Sequence, residues 1–247
     1  MTWLRSGLFA LAQLLVTPPY ALIALATFPL PRMWRYRIIS GWSRLHVWLA
    51  RAYAASVLWV LKWSCGLDYR VEGAPLPAGC HVALWKHSSS WETMAMMVLF
   101  PRQVWVLKRE LLWIPMVGLA VRQMRAIAID RKAGHSAVAQ VIEQGKQRLE
   151  EGDWIMLFPE GTRMAAGETR RYGVSGTLLA IETGRFIVPV AHNAGFYWPR
   201  RGVMKKPGTV RVVIGAPVAT TGREPRELNE QIQAWVEATV RSLEPVE

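Results

Sequence analysis

Cysteine is nearly missing from this chain: Cys65 and Cys80 are the only two in 247 residues. That excludes a disulfide-built scaffold, and neither cysteine sits in a metal-ligand spacing. A reducing compartment is the default for such usage; whether the two cysteines pair is open on sequence alone. Acidic residues are also few, 18 against 30 Lys and Arg, for a formal net charge of +12. Such a balance suits a polyanionic partner: nucleic acid, anionic lipid headgroups or phosphorylated metabolites. No nucleic-acid reading motif is present, and the arginines of the first third flank apolar segments ("PRMWRYR", "GWSRLHVWLAR"). That placement favours a membrane surface over nucleic acid. With 51% hydrophobic and 19% charged residues the chain is not disordered. There is no internal repeat, which excludes a solenoid.

One stretch lacks charge altogether. From Ser6 to Pro31 the run "SGLFALAQLLVTPPYALIALATFPLP" is long enough to cross a bilayer core as a helix. Pro18-Pro19 interrupts it, and proline breaks or kinks helices. One kinked transmembrane helix therefore competes with two short helices in a re-entrant hairpin. A cleaved signal peptide is disfavoured, because the apolar region is too long and broken. Arg32, Arg35, Arg37 and Arg44 follow the run, and by the positive-inside tendency they put the rest of the chain on the cytoplasmic face of the membrane. A second stretch, Leu49–Leu67, is amphipathic with Arg51 and Lys62 on its flank; it reads as an interfacial helix, with a core helix as the alternative. Six of the 13 tryptophans (Trp3, Trp34, Trp42, Trp48, Trp59, Trp63) fall in these first 66 residues, as expected at a membrane–water interface. The expected organisation is a membrane-anchoring helical region over 1–66 and one α/β domain over 67–247.

Beyond Asp68, strand and helix patterns alternate. "DYRVEG", "CHVALWKH", "QVWVLK", "AIAIDR", "WIMLFPEG", "FIVPVAHNAG" and "TVRVVIGAP" read as strands. Between them "SSWETMAMMVLF", "RELLWIPMVGLAVRQ", "SAVAQVIEQGKQRLEEG" (Ser136 as cap, Gly152 as stop), "SGTLLAIETG" and the closing "REPRELNEQIQAWVEATVRSL" read as helices. The pattern predicts a mixed, largely parallel sheet flanked by helices. Ligands in such sheets gather outside the carboxyl ends of the strands. His87 and "FPEGTR" (Phe158–Arg163) both follow an apolar strand, so both belong on that rim.

A neutral imidazole takes a proton from a hydroxyl when an acceptor holds its other nitrogen. Glu92, five positions after His87, falls in the first turn of the next helix and can face back to it. It can equally close a capping box with Ser89; the two roles are compatible. Gly-x-Ser-x-Gly is absent, so Ser88, Ser89 and Ser90 read as turn and cap residues, with a serine lipid or thioester hydrolase as the lesser alternative. In "FPEGTR", Gly161 lets backbone approach an anion and Arg163 offers a planar fork to phosphate. Lys108 stands at another strand end.

Together these residues resemble the glycerolipid acyltransferases, in particular those acting on 1-acylglycerol-3-phosphate. "KHSSSWET" is similar to that family's first block, a histidine and an acid five residues on. "LKRELLWIPMVG" is similar to the second, through Lys108, Glu110, Leu111, Pro115 and Gly118. "AIAIDR" (Ala126–Arg131) follows where the family has a strand. "FPEGTR" matches the third block, and "IVPVAHNAG" the fourth through Val188, Pro189 and Val190. The likeness spans Leu67 to Pro217. It implies an enzyme in which His87 is the general base, Glu92 its orienter, and Lys108, Glu160, Gly161, Thr162 and Arg163 bind the glycerol-phosphate headgroup. It implies a lysophosphatidic acid acceptor, an acyl-CoA or acyl carrier protein donor, a membrane bilayer as partner, and no cofactor, metal or nucleic acid. Two departures stand out: Glu92 where the family has Asp, and "RRYGVSGTLL" where it often has a lysine-rich segment. The second keeps another lysolipid, such as a lyso-aminolipid, open as the acceptor.

Overall fold

The computed structural model describes residues 1–27, 39–114, 117–130 and 133–245. Arg32, Arg35, Arg37, Pro115 and Arg131 lie outside the described residues. Two long helices come first, α1 (Thr2–Thr27) and α2 (Ile39–Cys65). They run antiparallel: Cys65 lies against the Arg5 carbonyl, while Tyr20 reaches Ser56 at 3.1 Å and packs edge-on to Tyr53. Of the two geometries left open at Pro18-Pro19, the structure has the single helix, α1 continuing through both prolines. Proline's fixed φ fits a helix; what it removes is an N–H donor, and an apolar helix tolerates that loss. Thr2–Ile23 is the one described segment long and apolar enough to cross a membrane, with 11% of the window buried.

α2 is half core and half surface. Ala54, Val57, Leu58, Leu61 and Cys65 are buried in the main core, while Trp48, Trp59 and Trp63 are exposed. The boundary drawn at 66/67 therefore falls at Gly66 (φ 68°), a turn between packed elements. Cys65 and Cys80 are both free and buried; they do not pair.

Seven strands follow: β1 (Leu67–Gly73), β2 (Val82–Trp85), β3 (Gln103–Lys108), β4 (Ile127–Ile129), β5 (Trp154–Leu157), β6 (Ile187–His192) and β7 (Gly208–Ile214). They form one sheet in the order β1-β7-β6-β2-β5-β3-β4, parallel except where β6 meets β7. The expected mixed, largely parallel sheet is present. Its central strands β2, β5 and β6 are buried along their whole length, as strands covered on both faces must be.

The later helices are α3 (Trp91–Leu99), α4 (Val117–Gln123), α5 (His135–Glu150), α6 (Ser175–Glu182), α7 (Ala194–Tyr197) and α8 (Pro225–Ser242), with a 3-10 turn over Arg109–Trp113. Two details differ from the sequence expectation. α5 is entered from Gly134, at φ 53°, rather than capped by Ser136. The stretch expected as one helix with Pro115 inside is split into the 3-10 turn and α4. α8 lays Leu228, Ile232, Val236 and Val240, an i, i+4 stripe, onto the core. Its N-cap Glu224 accepts the N–H groups of Arg226 and Glu227.

The N-terminal helix also touches the α/β part. The Lys205 N–H donates to Ser6 Oγ at 2.9 Å, Phe9 packs edge-on to Trp198, and Lys205 Nζ lies 4.7 Å from both ring centroids.

Candidate active site

β2 and β5 are parallel neighbours, so His87 and Phe158–Arg163 leave the sheet at one rim. There the chain turns tightly and α3 begins. Glu92, in the first turn of α3, is fully buried, and its Oε1 accepts three N–H groups. They are His87 Nδ1 at 2.9 Å, the Ser88 backbone at 3.0 Å and the Ser89 backbone at 2.8 Å. Ser89 Oγ in turn accepts the Trp91 N–H. That oxygen thus faces the imidazole and also takes two backbone N–H groups ahead of α3, but the expected capping box with Ser89 is not formed, because the helix's N-cap is Ser90. Because a carboxylate only accepts, the imidazole proton sits on Nδ1, leaving Nε2 with a lone pair able to take a proton. Burial alone pushes the Glu92 carboxyl up; the His87 hydrogen bond, the two nearby histidines and the Ser89 N–H outweigh it and hold it below its ordinary range.

His87 is fixed from three further sides. Its ring stacks on Phe158, with centroids 3.8 Å apart and planes 16° from parallel. Its N–H donates to Glu160 Oε2 at 2.7 Å, and its carbonyl accepts the Met164 N–H at 2.7 Å. The "FPEGTR" loop is therefore built directly onto the histidine.

Glu160, expected with the headgroup residues as a shaper of their loop, points away from solvent. It is 3% exposed and faces inward, in a buried ion pair with Lys86, whose Nζ lies 2.7 Å from Glu160 Oε1. Lys86 Nζ also donates to both Glu237 oxygens and to the Glu168 carbonyl. Tyr172 OH donates to Glu237, and burial pushes that phenol's ionisation far up, so it stays a donor. One ammonium thus serves two carboxylates, and burial pushes Glu160 up to about 7. Lys86, Tyr172 and Glu237 are functional neighbours that sequence reasoning missed. A lysine closing the apolar strand "VALWK" was the available signal; Glu237 gave little, being one acid in a charged helix.

Of the remaining expected residues, Gly161 turns the loop at φ 71°, Thr162 is exposed and Arg163 half-buried. The Arg163 carbonyl accepts Arg200 Nη1 at 3.0 Å. Lys108 stands exposed at the end of β3, two strands from β2, roughly 10 Å across the same rim. Ser88 and Ser89 are buried, and the half-buried Ser90 is the N-cap of α3. A Cβ on Gly195 would come 2.9 Å from Ser88 Cβ, so the fourth block's glycine lets α7 close on the histidine turn. Among the described residues, no group of three or more His, Cys, Asp and Glu is arranged to hold a metal ion.

The family model for Acyltransferase matches residues 69–193, about half the chain, a span that holds His87, Glu92, Lys108 and Phe158–Arg163. The chain belongs to the acyltransferase family. This acyltransferase is 40% identical over 223 residues to a 1-acyl-sn-glycerol-3-phosphate acyltransferase of Pseudomonas aeruginosa, an alignment covering 88% of this chain and 82% of that one. It is 31% identical over 172 residues to the alpha 1-acyl-sn-glycerol-3-phosphate acyltransferase of Mus musculus, covering 68% of this chain and 60% of that one. The crystal structure of the 1-acyl-sn-glycerophosphate (LPA) acyltransferase of Thermotoga maritima shares the fold of this acyltransferase. The TM-score is 0.79 at 20% identity, over 100% of this chain and 97% of that one.

Proposed function

We propose that the chain transfers an acyl group from an acyl thioester to the free sn-2 hydroxyl of 1-acylglycerol-3-phosphate, giving phosphatidic acid. The observation that carries this is the His87–Glu92 contact at 2.9 Å, which leaves Nε2 as a base beside an anion-suited loop. The acceptor oxygen attacks the thioester carbonyl carbon while its proton passes to His87 Nε2. Glu92 offsets the charge of the resulting imidazolium. Collapse of the tetrahedral adduct breaks the C–S bond, and the leaving sulfur takes the proton back from His87. The protein forms no covalent bond to the acyl group.

Arg163, Gly161, Thr162 and Lys108 receive the phosphate; Glu160 shapes their loop from beneath. Acyl-CoA or acyl carrier protein supplies the thioester as a substrate, and both are acidic, in keeping with the +12 charge. The apolar α1 and the exposed Trp59 and Trp63 of α2 seat the enzyme on a bilayer, where acceptor and donor chain meet on one surface.

Purified protein in detergent, given lysophosphatidate and an acyl thioester, releases free thiol in proportion to acceptor, and His87→Ala abolishes release without shifting thermal unfolding. Equal release without acceptor, or none with any lysolipid, overturns the reading. A lysolipid bearing an amine headgroup, run in parallel, discriminates the alternative acceptor.

A further inference from the structure

Glu92 has a second oxygen, and its surroundings are specific. Oε2 is buried and has no hydrogen-bond donor among the described residues. It lies 3.9 Å from Nε2 of His192, too long for a hydrogen bond. His192 ends β6, which pairs in parallel with β2, so it reaches the same rim beside His87. It is 1% exposed and lies between Trp85 and Trp91, with ring centroids 6.2 and 6.1 Å away.

The tautomer of His192 follows from its partners. Its Nδ1 accepts the Ala194 N–H at 3.3 Å, so in the neutral ring the proton is on Nε2. That N–H donates to the Lys86 carbonyl at 2.9 Å. Burial favours the neutral form of His192, against the opposing pull of the Glu92 charge and the Lys86 carbonyl. One N–H dipole therefore fixes the peptide that leads into His87 and also lies near the free edge of the carboxylate that orients it.

We propose that His192 is a positioning residue for the His87–Glu92 pair, holding the Lys86 carbonyl in hydrogen bond and facing Glu92 Oε2. The inference rests on the reading of His87 as the base. It also accounts for the longer acid. Glu92 keeps one oxygen on His87 and the two serine N–H groups, and its other oxygen lies on the side of the β6 histidine, 3.9 Å from Nε2.

The test is steady-state kinetics on lysophosphatidate with purified variants. Gln at 192 places an N–H donor where Nε2 was; Asn is too short to reach the Lys86 carbonyl. His192→Gln retains most of kcat, whereas His192→Asn lowers kcat roughly 10- to 100-fold with KM for the acceptor unchanged. Glu92→Asp combined with His192→Asn costs less than the product of the single losses, because the two residues act on one geometry. Equal kcat for the Gln and Asn variants, or strictly multiplicative losses, overturns the inference. If the Asn variant does not fold, His192→Phe fills the same space without a donor and replaces it. Wild-type activity that vanishes with His87→Ala while 192 variants stay fully active refutes this inference alone; an inactive wild type refutes the acyl-transfer reading itself.

Discussion

Three N–H groups converge on one oxygen of Glu92, and each asks something different of a substitution. Glu92→Gln keeps the shape, and the Ser88 and Ser89 N–H groups hold its carbonyl oxygen toward His87 Nδ1, but it removes the charge that offsets the imidazolium. The expected result is a loss in kcat on the order of 10³-fold or more, with KM for the acceptor little changed, measured by thiol release. Gly195→Ala drives a Cβ to 2.9 Å from Ser88 Cβ, where neither backbone can yield freely. It costs about 1–3 kcal/mol by thermal unfolding and lowers kcat by disturbing the histidine turn. Glu160 carries its own pH signature. With its native pKa raised to about 7, the folded protein holds a proton that the unfolded chain releases above the ordinary carboxylate range. Its contribution to stability therefore falls as pH rises from about 4.5 to 7. Glu160→Gln removes this slope, and the difference between the two stability-versus-pH curves is confined to that window. Glu92 has the opposite sign: its native pKa is lowered, so its contribution is present above the ordinary carboxylate range and lost as pH falls through the native value.

At the level of elements, the distant α8 supports the rim through a single acid. Glu237 meets Lys86 and Tyr172 behind the histidine, 151 residues from the lysine in sequence. Glu237→Ala leaves Lys86 short of one partner in a buried setting. With Glu160 still paired to Lys86, it costs about 1–3 kcal/mol, seen as a fall in unfolding midpoint of roughly 5 °C in detergent. This network was not legible in the sequence, because nothing local to α8 says which strand end it will cover. What was legible had local physical signals. The alternation of strands and helices beyond Asp68 foretold the sheet, since apolar runs of strand length between helical periods admit few other folds. His87, Glu92 and "FPEGTR" were legible because strand-end placement and side-chain chemistry coincide there. Where two local signals competed at a helix start, the reading failed: Gly134 took it from Ser136. His192 stayed hidden within "IVPVAHNAG", since a buried histidine in an apolar strand has no pattern until its neighbours are known.

Taken whole, the molecule is lopsided: a basic α/β body joined to a helical pair with an apolar outer face. Leu4, Leu8, Leu11, Leu15 and Leu22 of α1 are each more than half exposed, as are Trp59 and Trp63 of α2. Replacing Leu8, Leu11 and Leu15 together by Glu shifts the protein from the floating to the soluble fraction with anionic vesicles, while thermal unfolding stays within a few degrees. Unchanged flotation would refute the membrane seating. The helical pair does more than hold on to a surface, however. Ser6 and Phe9 grip the segment around Lys205 and Trp198, and two residues past Trp198 the side chain of Arg200 grips the Arg163 carbonyl. Trimming the first helix to obtain a water-soluble enzyme would thus loosen the segment that holds the Arg163 loop, and a shortened protein that folds but turns over poorly would be reporting that lost support rather than a missing membrane.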